Sequence, residues 1–403
     1  MTQLPDFALC AFFRIDAIPR PSNITISFIK MKALSDKIKI YRLLGLCLLC
    51  VLLFSGCGGN GDDLQNIILF IGDGMGVAHV TAGKITAGTL HLERFPASGL
   101  VTTHSANRLV TESAAATTAL ATGKKTNNRS VSVLPDGTPV KTLFEHARDL
   151  GKSIGVVVTS SVTHATPASF MAHVDNRRKH DEIAEQIVNS GIDVLIGGGW
   201  AYFVPASRPG SRRKDDKDLL AAIESRMPLV LSADKISAHK GGEKLAALLA
   251  PTGLPAAANR DYSLAWLTRM AIEMLSKNPN GFVLMVEGSQ IDWAAHDHNA
   301  PNIISEMLDF DEAIGAALDF AQSEDRTLIV VTADHEAGGF AVHDGSIQDR
   351  RVSATAFTTA GHTASMVPIF AYGPSNTDFS GILDNARVGQ ILIDRLLKGN
   401  AGR

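Results

Sequence analysis

The sequence predicts a doubly wound α/β fold, a mostly parallel central sheet with helices on both faces. Three observations carry this expectation. From Asn66 onward strand-like and helix-like segments alternate, the order that builds a parallel sheet through crossover helices. The strand-like runs are continuously apolar, as in strands covered on both faces. The first of them, Asn66 to Ile71, ends abruptly in Gly72-Asp73-Gly74-Met75-Gly76. That places a carboxylate beyond the carboxyl end of a strand, where open α/β sheets bind ligands.

Three segments precede that strand. Residues 1–30 lie ahead of a complete export signal with its own methionine, Met31, and are read as an extension from a mis-set start. Residues 31–56 carry Lys32, Lys37, Lys39 and Arg42 before the apolar run Leu43 to Phe54. That run falls short of the roughly 20 residues of a membrane span. It ends in Phe54-Ser55-Gly56-Cys57, which resembles a bacterial lipoprotein signal with Cys57 as the lipidated residue. An uncleaved anchor with an incidental cysteine is the alternative. Residues 57–65 read as a flexible tether, rich in Gly, Asn and Asp. The implied location is the cell envelope, reached by export and held through a lipid anchor. Residues 66–403 form one catalytic domain.

Within that domain Ser153–Thr159, Ile192–Ile196, Gly281–Val286, Thr327–Thr332 and Val367–Ala371 are the further candidate strands. Thr142 and Glu145 have the spacing of a capping box, and Gly151 suits the end of the helix they begin. Leu264, Leu267, Ala271, Met274 and Leu275 recur at helical spacing, as do Ile304, Met307, Leu308, Ile314 and Leu318. The chain closes on an amphipathic stretch from Ala386 to Leu397. Ser207–Asp218, mixed in charge, reads as an exposed loop.

Composition narrows the chemistry. Among 403 residues, 38 basic and 41 acidic side chains leave a net charge of −3, so nothing argues for nucleic acid. All four cysteines lie at or before Cys57. Any metal in the domain must therefore be held by histidine and carboxylate. Candidate groups follow strands or open helices: Asp73, Thr111 to Thr118, His164-Ala165-Thr166-Pro167, Glu287 to His296, Asp334-His335 and His362. Singly, each is as well read as a satisfied core residue, a turn or a cap. A parallel sheet, however, brings Asp73, Glu287 and Asp334-His335 to one edge.

The motifs IGDGMG, SAA-x-x-T-ALATG, HATP, VEG-x-x-ID-x3-H, TADH and a late GHT occur in the order of one family, and the chain resembles a bacterial alkaline phosphatase from Asn66 to about Pro374. The resemblance implies a three-layer sandwich and hydrolysis of small phosphate monoesters through a phosphoserine on Ser113. It implies that Arg177 clamps the phosphate, with Arg178 as the bland alternative. Two zinc ions and one magnesium are implied: Asp73, Asp334 and His335 for the zinc beside Ser113; Asp292, His296 and His362 for the second. Asp73, Thr166 and Glu287 would make the third, oxygen-rich site, which His164 shifts towards zinc. The resemblance also allows a homodimer. Asp292 and His296 are four residues apart and face one way on a helix; His298 competes with His296 as the ligand.

Some positions depart from the family pattern. Glu112 stands where an aspartate usually precedes the serine, and Trp293 replaces a basic or imidazole side chain and is assigned to the pocket wall. The interval from His335 to His362 is too short for an accessory domain. Ser113 also fits an ordinary helix N-cap. A sulfatase is excluded, because Ser113 is followed by Ala114-Ala115-Ala116-Thr117 and not by x-Pro-x-Arg. A phosphodiesterase of the same superfamily is the remaining alternative.

Overall fold

The computed structural model describes residues 64–239 and 241–399. The export signal, the lipidation position Cys57 and residues 58–63 of the tether lie outside them. In chain order the elements are β1 (Asn66–Gly72), α1 (Val77–Ala87), β2 (Ala97–Thr102), α2 (Ser113–Thr122), α3 (Leu143–Asp149), β3 (Ser153–Ser161), α4 (Ala165–Met171), α5 (His180–Asn189), β4 (Val194–Gly198), α6 (Leu219–Glu224), β5 (Leu229–Val230), β6 (Leu245–Leu248), α7 (Leu264–Leu275) and β7 (Phe282–Gly288). They continue with α8 (Gln290–His296), α9 (Ala300–Ser323), β8 (Thr327–Thr332), β9 (Glu336–Ala337), β10 (Ala341–Ser346), β11 (Arg351–Ala356), β12 (His362–Thr363), β13 (Val367–Tyr372), β14 (Gly381–Asp384) and α10 (Asn385–Lys398).

Ten strands form one sheet in the order β14-β2-β13-β8-β1-β7-β3-β4-β6-β5. Every neighbouring pair is parallel except those of β13, which runs against both β8 and β2. The centre, β1 between β8 and β7, is apolar along almost its whole length because helices cover both faces: every residue of β1, β7 and β8 is buried. One layer packs α1, α7 and α9 together; the other packs α2, α3, α4 and α10. Gly389 of α10 sits where a Cβ would come within 2.3 Å of the Ala119 carbonyl oxygen. Close backbone approach there seats the helix that begins at Ser113.

The doubly wound, mostly parallel fold is as expected, with differences in detail. Thr327–Thr332 is a strand with those bounds, and β3 and β7 run two residues further than expected. Thr142 and Glu145 do form a reciprocal capping box. β2 (ASGLVT), β6 (LAAL) and the edge strands β5 and β14 were not expected; glycine, serine and alanine give them little strand propensity, and pairing with neighbours decides their structure. The tether is shorter than read, because Leu64 is buried under the C-terminal end of α10. Within the Ser207–Asp218 loop, the Arg213 side chain is fully buried, held by Asp215 at 2.7 Å and Glu185 at 3.2 Å. The interval between His335 and His362 holds only the β10–β11 hairpin and its flanks.

Candidate metal centre and active site

Register explains how distant residues meet. Gly72 pairs with Gly288 and Ile71 with both Glu287 and Thr332, so Asp73, Glu287 and Asp334-His335 emerge at one sheet edge. The backbone then turns at Gly74, whose φ of +74° belongs to the left-handed region. A Cβ at Gly74 would lie 2.9 Å from both Asp292 Cα and Ala337 Cβ. This turn is therefore closed to other residues twice over, by conformation and by space. The freed Gly74 amide donates to Asp334 Oδ1 (3.1 Å), as does the His335 amide (2.9 Å).

Two ligand sets result. In the first, His335 Nε2 lies 3.4 Å from Asp73 Oδ1 and 3.2 Å from Asp334 Oδ2, with the Ser113 hydroxyl at 3.4 Å. In the second, α8 presents Asp292 and His296 on one face. Asp292 Oδ1 is 3.3 Å from His296 Nε2 and 3.4 Å from His362 Nε2, and the two imidazole nitrogens are 3.2 Å apart. The His296 Nδ1 donates to the Ala360 carbonyl (2.5 Å) and the His362 Nδ1 to the Thr111 carbonyl (3.0 Å). A carbonyl can only accept, so these bonds take up both Nδ1–H groups and leave both Nε2 atoms facing one spot beside a carboxylate. His335 stacks on His362 with ring centroids 3.6 Å apart, which joins the sets.

A third group lies behind Asp73. Asp73, Glu287 and His164 each offer a ligand atom within 4.8 Å of the others, and Thr166 is fully buried on the first turn of α4. Glu287 accepts from Ser160 at 3.3 Å, but its other oxygen has no partner. His164 Nε2 accepts from Arg177 Nη2 at 3.0 Å, while its Nδ1 is buried without a hydrogen-bond partner. Trp293 stands edge-on to His164, ring centroids 6.2 Å apart, as a wall.

The polar atoms left over test whether cations fit. Both oxygens of Asp73, Asp334 Oδ2, Asp292 Oδ1, Glu287 Oε1 and the Thr166 hydroxyl are buried without a hydrogen-bond partner. Buried polar atoms in folded proteins are normally paired, and so many acceptors converging on a few points suit cations. Burial and mutual repulsion show in the titration of these groups. Asp73 is pushed well up by burial and by Asp334, Asp292 and Glu287; burial lifts Glu287 to about 8 and Asp334 to about 6. Asp292 goes the other way: burial pushes it up, but His296 and His362 outweigh that and hold it well below the usual range. Burial and the His362 charge keep His335 neutral. The chain thus carries a metal-binding site of histidine and carboxylate.

Ser113 is the first residue of α2 and is not its cap. Glu112 caps the helix, accepting from the Ala114 (3.2 Å) and Ala115 (3.0 Å) amides, so the buried Ser113 hydroxyl is free to face His335. Glu112 also accepts from Arg177 Nη1 at 2.5 Å and from the Arg129 amide at 2.7 Å. Despite its extra methylene, Glu112 reaches the arginine. Burial pushes its carboxyl up, yet Arg177 and the backbone donors hold it below the usual value. The Ala114 and Ala115 amides are consequently engaged, and less of the α2 terminus is left for an anion than the sequence suggests. Arg177 faces the cavity, whereas Arg178 is exposed at its rim. His298 is turned to the Thr359 carbonyl (2.9 Å) and stacks on Phe357, away from Asp292. The sequence does not single out Arg129 and His180, which line the same cavity of about 580 Å³. The Asn127-Asn128 pair signals a turn there, but not which side chain it turns inward.

Residues 64–353 match the family described as alkaline phosphatase. Alkaline phosphatase 3 of Bacillus subtilis is 32% identical over 419 residues, covering 82% of this chain and 89% of the relative. Among solved structures, the alkaline phosphatase of the Antarctic bacterium TAB5 superposes with a TM-score of 0.77 at 38% identity, covering 83% of this chain and 99% of that one. A histidine-to-aspartate mutant of that enzyme, with magnesium bound in its M3 site, superposes with a TM-score of 0.76, at 38% identity and with the same coverage of both chains.

The titration of the cluster gives a testable sign. Without cations, the fold keeps protons on Glu287 up to about pH 8 and on Asp334 up to about pH 6, whereas carboxylates in the unfolded chain ionise near pH 4. His296, raised to about 9 chiefly by the Asp292 carboxylate 3.3 Å away, holds its proton above the unfolded value of roughly 6.5. Each group binds more protons folded than unfolded, so stability falls as pH rises through these windows. Below about pH 6.5 the lowered His335, His164 and His79 act in the opposite sense, so thermal melts of chelator-stripped protein should give a Tm that declines from about pH 7 to about pH 9, with restored divalent cations flattening the decline. A stripped protein whose Tm held or rose over that range would contradict the cluster's assignment.

Proposed function

Because the chain belongs to the alkaline phosphatase family and hydrolyses phosphate monoesters, we propose that the reaction runs through a phosphoserine on Ser113 in two displacements. Ser113 Oγ forms a bond to phosphorus as the ester oxygen departs with the bonding pair. Water then attacks the same phosphorus, the Ser113 Oγ–P bond breaks, and inorganic phosphate leaves. The observation that carries this reading is the position of Ser113: a buried, uncapped hydroxyl 3.4 Å from His335, at the seam between the ligand cluster and Arg177. Arg177 grips two non-bridging oxygens through its planar fork. Glu112 on one side and His164 on the other orient that fork before substrate arrives.

Asp73, Asp334 and His335 hold one zinc; Asp292, His296 and His362 hold a second. Asp73, Thr166 and Glu287 hold magnesium, with His164 beside it. When bound, zinc would supply Lewis acidity that favours the ionised Ser113 hydroxyl and offsets the charge of a departing oxygen. A magnesium ion in the M3 site of a TAB5 histidine-to-aspartate mutant supports an oxygen-rich third pocket as a magnesium site.

Ser113→Ala should lower phosphate release from 4-nitrophenyl phosphate by at least roughly a thousand-fold, and rapid quenching of the wild type should trap phosphate on Ser113. Equal rates in the two proteins, or a wild type that prefers the bis(4-nitrophenyl) diester, would sink the assignment. Metal analysis of the wild type should find two zinc ions and one further ion per chain. His164→Asp should raise the magnesium share of that further ion, because a carboxylate is the harder ligand. An unchanged zinc-to-magnesium ratio would remove His164 from the third site.

A further inference from the structure

The cavity that holds Arg177, His164 and His362 does not end at them. It runs past Arg178 and His180 into a second cavity of about 560 Å³, lined also by Lys179, Tyr202, Arg212 and Lys214. His180 stacks on Tyr202, ring centroids 4.5 Å apart and planes 23° apart, so the second cavity includes a flat ring pair.

The charges along this path are unbalanced. Arg177 is matched by Glu112, and Lys179 by Asp175 and Glu182. The side chains of Arg129, Arg178, Arg212 and Lys214 have neither an ion pair nor a hydrogen bond among the described residues. Two carboxylates line the second cavity: Glu182 is paired with Lys179, and that of Asp181 already accepts from the Lys214 amide. Solvated surface cations are common, but a second observation sets one of these apart. Arg129 has a φ of +78°, a left-handed conformation that L side chains adopt at a cost. Its backbone is fixed there, donating to Glu112 at 2.7 Å and accepting from the Arg177 amide at 2.8 Å. Glycine would make both bonds without strain; an arginine stands there instead, and it lines the active-site cavity.

We propose that Arg129 and Arg178, continued by Arg212 and Lys214, form a leaving-group subsite selecting phosphate monoesters whose alcohol carries a second phosphate. This rests on the monoesterase reading of the site. Arg177 takes the phosphoryl group that reacts, and the rim takes the one that does not. The His180–Tyr202 pair offers a flat face to the carbon skeleton between them.

The test compares kcat/KM for fructose 1,6-bisphosphate with that for fructose 6-phosphate, in the wild type, Arg129→Gly and the triple variant R178A/R212A/K214A. Taking the quotient of the two substrates within each protein cancels intrinsic reactivity. Each exposed cation–anion contact is worth roughly two- to five-fold, so the quotient should fall a few-fold in Arg129→Gly and about ten-fold in the triple variant. In the wild type it should shrink as salt is raised from about 10 mM to about 500 mM, because the rim is screened. Arg129→Gly should also melt at a higher temperature as the left-handed strain is relieved, so a lower quotient in a more stable protein is not explained by damage to the fold. A quotient within two-fold of wild type in both variants overturns the subsite. So does an equal loss on both esters, which would place these arginines on the reacting phosphate. A wild type inactive on both sugars and on 4-nitrophenyl phosphate overturns the monoesterase reading itself.

Discussion

Four carboxylates, those of Asp73, Glu287, Asp292 and Asp334, are buried together at one edge of the sheet with too few hydrogen-bond donors to satisfy them. In water such a group would disperse; here the backbone forbids it. Asp73 is fixed one residue beyond β1, Glu287 lies within the last residues of β7, and Asp334 follows β8, all in hydrogen-bonded register. Asp292 is drawn in from α8 past a glycine that leaves it no slack. Like charges buried at this spacing must be protonated or neutralised by cations. Backbone carbonyls turn His296 and His362 so that both Nε2 atoms face Asp292, where a metal ion would take the place of their protons.

The remainder of the site reads as a consequence of that cluster. Ser113 is brought to its edge by α2, itself held close to α10 at Gly389. Glu112 does three jobs at once, capping α2, holding Arg177 and fixing the Arg129 turn. Arg177 and His164 in turn restrain each other. On the proposed reading the ligands and the arginine act on the phosphoryl group, which leaves discrimination between alcohols to the outer part of the cavity, where Arg129, Arg178, Arg212 and Lys214 lie.

Much of this was legible in the sequence, for reasons that differ by residue. The apolar strands β1, β7 and β8 are buried on both faces, so their composition alone betrays them. Asp292 and His296 share a face because they are four residues apart on a helix. Sequence did not reveal β6, whose Leu-Ala-Ala-Leu owes its strand to parallel pairing with β4 and β5, nor that β13 runs antiparallel. Ser113 fitted an N-cap equally well until Glu112 was found to occupy that position. The strain at Arg129 and the engagement of His164 by Arg177 are long-range facts with no local signature. Sequence motifs named the candidate ligands, while the orientations of His164, His296 and His362 come from their guanidinium and carbonyl partners.

Asp73 belongs both to the group with Asp334 and His335 and to the group with His164 and Glu287. The most direct test of the account is metal content per chain in Asp73→Asn beside the wild type, by mass spectrometry on protein whose fold is verified by its circular dichroism. Loss of ions from two sites, with the set of Asp292, His296 and His362 still filled, is the predicted result. An Asp73→Asn protein that retained its full metal complement and its full rate of phosphate release would contradict the account at its centre.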